Sequence, residues 1–250
     1  MLPKTMLLSL LSALAIGALV GCGSGGDGDE VVAHVAGVGS ITKAAVDHWT
    51  HVEFILLHEY VPTRPVPKGV VPDPPSYKDC ISYLKRTAHE YAARSSTLAA
   101  ECRRKERQMR ANTLDKLISW DWTIGRAHAF GIRASDAEVR QQLARVIKTR
   151  SLYGANVRRY LKLSGQTMAD LLFRSRVQLL EVEIANSAKH VLASLPKGLT
   201  EKQRQIAYLS VARRYSATKD WVGKTSCRKG YVVSACKQYT GSEAPPGGQA

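Results

Sequence analysis

Three histidines in the first third of the chain come closest to the spacing of a metal site. His51 and His58 are two helical turns apart on one face, and His48 precedes His51 by one turn. Because neutral imidazole is a common metal ligand, such a set could hold a transition metal. No carboxylate or cysteine stands at a persuasive fourth position. We therefore expect ordinary polar surface residues here, and we predict neither a metal nor a cofactor.

The four cysteines beyond the N-terminal region are typical of disulfides in an oxidising compartment. They allow three connectivities, of which Cys80 with Cys102 and Cys227 with Cys236 is the simplest. A zinc site formed by all four is the alternative. It is disfavoured because the sequence contains no Cys-x-x-Cys pair.

The local pairing makes a demand on the chain between Cys80 and Cys102. A straight helix over this stretch would separate the two cysteines by about 33 Å, whereas a disulfide needs Cα atoms within about 7 Å. The chain must therefore reverse, and we expect the bend at Arg94–Thr97.

No motif for nucleophilic catalysis is present. The sequence lacks Gly-x-Ser-x-Gly, and Ser164-Gly165 is better explained as the end of a helix. We predict no catalytic residue.

The N-terminus has the composition of a secretory signal. Lys4 gives a basic start, and Met6–Val20 is an almost uninterrupted apolar run. The run of about 15 residues is short of the roughly 20 that span a bilayer. Its end, Leu19-Val20-Gly21-Cys22, is typical of a bacterial lipobox, so we expect Cys22 to be lipidated. An ordinary signal peptide or a membrane anchor is the alternative. The expected location is extracytoplasmic, lipid-anchored to the bacterial cell membrane.

The chain is strongly basic. It has 36 Lys and Arg against 21 Asp and Glu, a net charge of +15, and its 44% apolar content is enough to bury a core. Such a surface could attract acidic clients, anionic lipid headgroups or wall polymers. The alternative is a solvated basic face with no dedicated ligand. Nucleic acid is not an expected partner, because the signal places the chain outside the cytoplasm.

Helical periodicity is strongest between Arg103 and Val191, where apolar residues recur at spacings of three and four. A long helix is expected from Arg103 to about Phe130, ended by Gly131. Before this stretch we expect a strand at Val31–Ala36 with a glycine turn, a helix capped by Thr42 and an extended proline-rich loop at 61–76. After the long helix we expect a helix opened by a capping box at Ser135–Glu138, a short helix at Val157–Leu163 and a helix beginning at Thr167–Asp170. A last helix leads to Trp221, and a strand-like tail runs from Cys227 to Cys236 and includes Tyr231–Val233.

Several short segments between residues 31 and 192 occur in an order and spacing typical of one family. They are Val31–Val35 with a glycine turn and Ile41-Thr42-Lys43, Leu117-Ile118-Ser119 with Trp122, Gly131-Ile132 with Ser135–Val139, Ser164-Gly165, Ala169–Leu172, and Arg174-x-Arg176-x-Gln178-Leu179-Leu180. Together they resemble the SurA and PrsA type of extracytoplasmic foldases, and the tail from Trp221 to Cys236 is similar to the end of actinobacterial-type members.

The resemblance implies a mostly α fold, a SurA N-terminal-like helical chaperone domain with a short N-terminal strand and a small disulfide-closed C-terminal strand or loop. On this basis the chain is divided into five segments. They are a signal peptide at 1–21, a flexible tether at 22–30, the helical chaperone domain at 31–192, a C-terminal helix and disulfide loop at 193–240, and a disordered tail at 241–250.

The family often carries a parvulin-type prolyl isomerase domain of about 90 residues, which has no room here. About 28 residues separate Leu192 from Trp221, they include one glycine, and no histidine follows His190. The implied function is to bind unfolded or nascent secreted proteins without catalysis. The alternatives are a peptidyl-prolyl isomerase with a degenerate domain and a structural lipoprotein that binds envelope polymers.

Exposed apolar surface is what such binding needs, so aromatic residues are the candidates for contact with clients. These candidates are Trp49, Trp120, Trp122, Phe130 and Tyr160. The alternative is that most of them belong to the core. Trp122 lies roughly 200° around the helix from Trp120, so the two rings cannot share one contact surface.

Overall fold

A computed structural model describes residues 30–60, 62–87, 95–149, 156–216 and 218–241. The predicted signal peptide, Cys22 and nearly all of the predicted tether and tail lie outside these residues.

Most of the described residues are helical, and a small sheet accompanies them. The strands are β1 (Val31–Val35), β2 (Gly39–Thr42) and β3 (Thr225–Cys227), and the helices are α1 (Lys43–His58), α2 (Lys78–Thr87), α3 (Ser95–Ala129), α4 (Asp136–Thr149), α5 (Val157–Ser164), α6 (Met168–Ala193), α7 (Glu201–Ser216) and α8 (Thr218–Gly223). The expected mostly α fold with a short N-terminal strand and a C-terminal disulfide is thereby confirmed.

Local sequence signals fix many of these helix ends. The Thr42 hydroxyl accepts a hydrogen bond from the Ala45 amide at the start of α1, as predicted. Thr167 and Asp170 form a reciprocal capping box at the start of α6. Gly131 and Gly165 follow α3 and α5 in the left-handed conformation, which glycine adopts without a steric penalty.

The sheet has the order β2-β1-β3, and both pairings are antiparallel. The sequence analysis predicts a glycine turn after β1 and no second strand, but β2 is present at Gly39–Thr42. The structure places β1 and β2 in a hairpin, in which His34 pairs with Ser40 and Val35 with Gly39. The prediction of a strand-like Tyr231–Val233 was wrong.

The third strand lies just before the predicted position, at Thr225–Cys227, and the residues after Cys227 form turns. The disulfide between Cys227 and Cys236 closes this segment into a loop. Val233 is then buried in the core instead of pairing with a neighbouring strand. Its apolar character reflects this burial, which explains the wrong prediction.

The main core lies between the sheet, α1, the middle of α3 and the C-terminal loop. Its fully buried members from β1, α1 and α3 are Val32, Val35, Val46, Val52, Leu114 and Ile118. Trp221, Ala235 and Cys236 complete the same core from the C-terminal side. Residues 193–240 therefore contribute directly to the packing of the helical body.

The proline-rich stretch has no helix or strand in its described residues, as predicted. After it, α2 packs on the first turns of α3 through a second cluster formed by Tyr77, Cys80, Leu84, Leu98 and Cys102. Cys80 is joined to Cys102, the simplest of the three connectivities.

The predicted start of the long helix and the bend before it were both wrong. Helix α3 begins at Ser95, so Ser95–Thr97 belong to its first turn, and Arg94, the first residue of the predicted bend, lies outside the described residues. The physical reason is that Leu98 and Cys102, one turn apart, must both face α2. Among the described residues, no helix is long and apolar enough to cross a membrane.

Candidate functional site

An open groove of about 580 Å³ runs between the C-terminal half of α1 and the middle of α3. Its lining residues are Glu53, Leu57, Met109, Asn112, Thr113, Asp115, Lys116 and Ser119. Glu53 and Leu57 are one turn apart on α1, and most of the α3 residues share one helix face at spacings of three or four. Two packed helices thus present both walls.

Leu57 is the most prominent apolar feature of the groove. It is 76% exposed, more than any other large apolar side chain in the described part of the chain. Phe54 and Ile55 on the same helix are buried in contrast. Met109 lies in the same lining and is half-buried. A flexible thioether beside an exposed leucine can adapt to apolar side chains of different shapes.

The rim of the groove is polar and charged. Lys116 Nζ donates to Glu53 Oε1 at 2.6 Å and also lies 5.6 Å from the centre of the Trp120 ring. Asp115 accepts hydrogen bonds from the Ser234 hydroxyl at 3.0 Å and from the Ala235 amide at 3.1 Å. These contacts hold the C-terminal loop against α3 next to the groove.

Thr113 contributes one polar atom near the floor. Its hydroxyl is buried and has no hydrogen-bond partner among the described residues. Leaving a buried hydroxyl unpaired costs free energy, and because this oxygen is shielded from solvent it is not open to a ligand in the groove. The groove combines an exposed aliphatic side chain with a charged rim, which suits binding of an extended chain.

Three of the five aromatic candidates form one interior cluster or pack beside it. Trp49 and Trp120 meet edge to face at 5.1 Å between ring centres, and Trp120 meets Phe173 in the same way at 5.6 Å. Trp122 points to the other side of α3, where its indole N–H donates to the Thr225 hydroxyl at 2.8 Å. The two tryptophans of α3 thus contact different residues, although both pack against the main core.

The other two candidates are also packed. Phe130 stacks on Tyr215 with ring centres 4.4 Å apart. Tyr160 is buried and its hydroxyl accepts a hydrogen bond from the Gln166 side chain at 3.0 Å. None of the five is among the exposed large apolar residues of the described chain. Their role in contact with clients stays a prediction.

The groove was not found from the sequence, although one signal for it exists. Four consecutive apolar residues, Phe54–Leu57, span about 300° of a helix at 100° per residue. They cannot all face one core, so one of them must point elsewhere. That residue is Leu57.

The three histidines occupy different environments. His48 Nε2 lies 3.0 Å from Asp170 Oδ2, and this hydrogen bond outweighs burial and raises the pKa of His48. His51 packs beside Gly165, and burial followed by the nearby charge of His48 lowers its pKa. His58 meets the Tyr83 ring edge to face at 6.2 Å. No group of three or more potential metal ligands occurs in the part of the chain that the structure describes.

A second groove of about 540 Å³ lies between α4 and α6. Charged and amide side chains dominate its lining, which includes Arg133, Glu138, Gln141, Arg145 and Glu183. Because its lining is more polar than that of the α1–α3 groove, it is a weaker candidate for binding unfolded chains.

Comparison of the chain with family models, with curated proteins and with solved structures finds no match. The similarity to extracytoplasmic foldases therefore stays a prediction from short sequence segments.

Proposed function

We propose that this protein is a lipid-anchored, extracytoplasmic chaperone-like protein that holds unfolded secreted chains without catalysis. The observation that carries the proposal is the exposed Leu57 beside Met109 in an open groove between α1 and α3. An unfolded chain offers aliphatic side chains and unpaired backbone groups without a fixed sequence. The apolar lining of the groove suits the aliphatic side chains, and its polar and charged lining suits the backbone groups.

The size of the contact suits transient binding. Burial of one aliphatic side chain contributes about 1.5–3 kcal/mol. One or two insertions next to Leu57 therefore give a weak interaction that a client can leave in order to fold. The net charge of +15 adds attraction for acidic clients, and this attraction falls as salt increases.

The proposed location is supported by the disulfides. Two bridges, Cys80–Cys102 and Cys227–Cys236, are present in the described chain. Such bridges persist in oxidising compartments and are rare in the cytosol. Attachment through Cys22 rests on the lipobox-like sequence alone.

The test is suppression of aggregation of a reduced, unfolded client by the purified protein. We expect the wild-type chain to suppress light scattering, and Leu57→Asp to lose most of this effect, because a carboxylate replaces the apolar contact. Ile206→Asp is the matched control: it places the same charge on another exposed aliphatic position, in α7. Failure of the wild-type chain at excess, or equal losses in both variants, would contradict the proposal.

The two alternatives have their own readouts. A degenerate peptidyl-prolyl isomerase would accelerate a proline peptide assay, and a structural envelope lipoprotein would bind wall polymers in a salt-sensitive way without suppressing aggregation.

A further inference from the structure

Helix α7 carries two exposed aliphatic side chains between two cations on one face. Lys202, Ile206, Leu209 and Arg213 follow one another at spacings of four, three and four, and they fall within about 60° of arc at 100° per residue. Ile206 is 58% exposed and Leu209 is 62% exposed, while Lys202 and Arg213 are also exposed. This set is the outward face of α7.

The opposite side of α7 attaches it to the rest of the molecule. Val211 is buried, and Tyr215 stacks on Phe130, the residue that follows α3. The Tyr215 hydroxyl is within hydrogen-bond distance of Ser187 on α6, at 2.9 Å. Helix α7 is therefore held in a fixed orientation, with Ile206 and Leu209 directed away from this contact.

The charges around the outward face are positive and unpaired. Lys202 and Arg213 form no ion pair with any acidic side chain in the described ranges. Residues 189–224 contain eight Lys or Arg and two Asp or Glu, a difference of +6. An anionic partner is thus favoured over a neutral or cationic one.

We propose that the outward face of α7 binds the surface of an anionic lipid bilayer. A hydrophilic polyanion would pair with the cations but would leave Ile206 and Leu209 in water. A bilayer interface satisfies both, because its headgroups accept the cations while the aliphatic side chains enter the acyl boundary. The stems of Lys202 and Arg213 can lie along this boundary with their charges at the headgroups. This inference does not depend on the proposed function.

The experiment uses the full chain with a tryptophan reporter at Leu209. Leu209→Trp is mixed with vesicles of phosphatidylcholine and phosphatidylglycerol that contain brominated acyl chains, which quench tryptophan at the acyl boundary. The matched control is Leu57→Trp, at an exposed leucine on α1. Both variants share the N-terminal apolar run, so its binding to vesicles contributes equally. We expect at least threefold more quenching for Leu209→Trp on anionic vesicles, and little on pure phosphatidylcholine.

A charge reversal then tests the cations. Lys202→Glu with Arg213→Glu should reduce the quenching of the Leu209→Trp reporter at least threefold, as should raising the salt from 0.1 M to 0.5 M. Arg140→Glu with Lys148→Glu, on exposed positions of α4, makes the same change in net charge and should leave it unchanged.

Equal quenching at Leu57 and Leu209, or equal effects of the two charge reversals, would overturn the proposal and point to diffuse attraction by the whole basic surface. Aggregation assays keep this outcome separate from the proposed function, since Leu57→Asp is the variant expected to affect clients and the α7 variants are not.

Discussion

His48 Nε2 lies 3.0 Å from Asp170 Oδ2 and joins α1 to the first turn of α6. The same carboxylate oxygen accepts hydrogen bonds from the amide and the hydroxyl of Thr167, at 2.6 and 2.8 Å. One carboxylate thus caps α6 and holds it against α1. Hydrogen bonds from His48 and Thr167 lower the pKa of Asp170, although burial, the largest single influence, acts to raise it.

This pair predicts a pH window for stability. The raised pKa of His48 means that its contribution is complete below the ordinary value of 6.5 and is lost as the pH rises through the folded value. The lowered pKa of Asp170 means that its contribution is present above 3.8 and is lost as the pH falls. The pair therefore contributes most between about pH 4 and 6.5.

His48→Gln should therefore lower the free energy of unfolding more at pH 5.5 than at pH 9. The loss at pH 5.5 should be below about 1 kcal/mol, because the His48 side chain is partly exposed and screened by water. Urea unfolding at both pH values measures it. His51→Gln is the control, and its effect on stability should have the opposite sign. The lowered pKa of His51 makes the wild-type protein less stable as the pH falls below 6.5, and this substitution removes that loss. Equal losses at both pH values for His48→Gln would exclude the ionic contribution.

Asp121 on α3 should weaken the fold at neutral pH. Burial raises its pKa to about 6, and no hydrogen bond or ion pair offsets this among the described residues. A carboxyl with a raised pKa lowers stability as the pH rises from 3.8 to about 6. Asp121→Asn should therefore raise the free energy of unfolding by about 1–3 kcal/mol at pH 7.5, with no gain at pH 3.5. The exposed Glu183→Gln is the control, and a similar gain there would refute the burial argument.

Gly125 allows Trp221 to pack directly on α3. A Cβ atom at this position would lie 2.1 Å from the Trp221 ring and 2.8 Å from Val38. Gly125→Ala should therefore lower stability by about 2 kcal/mol, although alanine is the better helix former. Gly223→Ala meets nothing within 4 Å and should change stability by less than about 0.5 kcal/mol. Thermal unfolding measures both, and a stabilised Gly125→Ala would show that the contact is absent in solution.

The Cys80–Cys102 bridge should matter mainly for α2. It closes a separation of 22 residues, and α2 packs on α3 through a small cluster separate from the main core. Replacing both cysteines by serine should lower the free energy of unfolding by about 3 kcal/mol in the chain-entropy model. Hydrogen exchange should show lost protection in α2 and retained protection in β1. Equal loss in β1 would mean that the two clusters unfold as one unit.

Features determined by neighbouring residues could be predicted from the sequence. Caps at Thr42, Ser135 and Thr167 need only a hydroxyl and a residue three positions later, and the helix end at Gly165 needs only a left-handed glycine. Each signal lies within one helical turn, so tertiary contacts did not override it.

Features that depend on residues far apart in the sequence could not be predicted. The pairing of β1 with Thr225–Cys227 joins segments about 190 residues apart, and no local pattern specifies it. The groove depends on which way Leu57 points, and this is decided by how α1 packs on α3. Four of the five aromatic candidates lie on the predicted helices, whereas Phe130 follows the last residue of α3. Their packing against one another depends on side-chain geometry that spacing alone does not give.

The position of β1 between β2 and β3 has a consequence for the order in which the chain acquires its structure. During synthesis or export from the N-terminus, β1 and β2 emerge first, and one edge of β1 stays unpaired until Thr225–Cys227 follows. Helix α3 likewise waits for Trp221 to cover Gly125. The C-terminal segment around Trp221 and β3 therefore closes the core, and a nascent chain interrupted before it would present an open strand edge prone to aggregation.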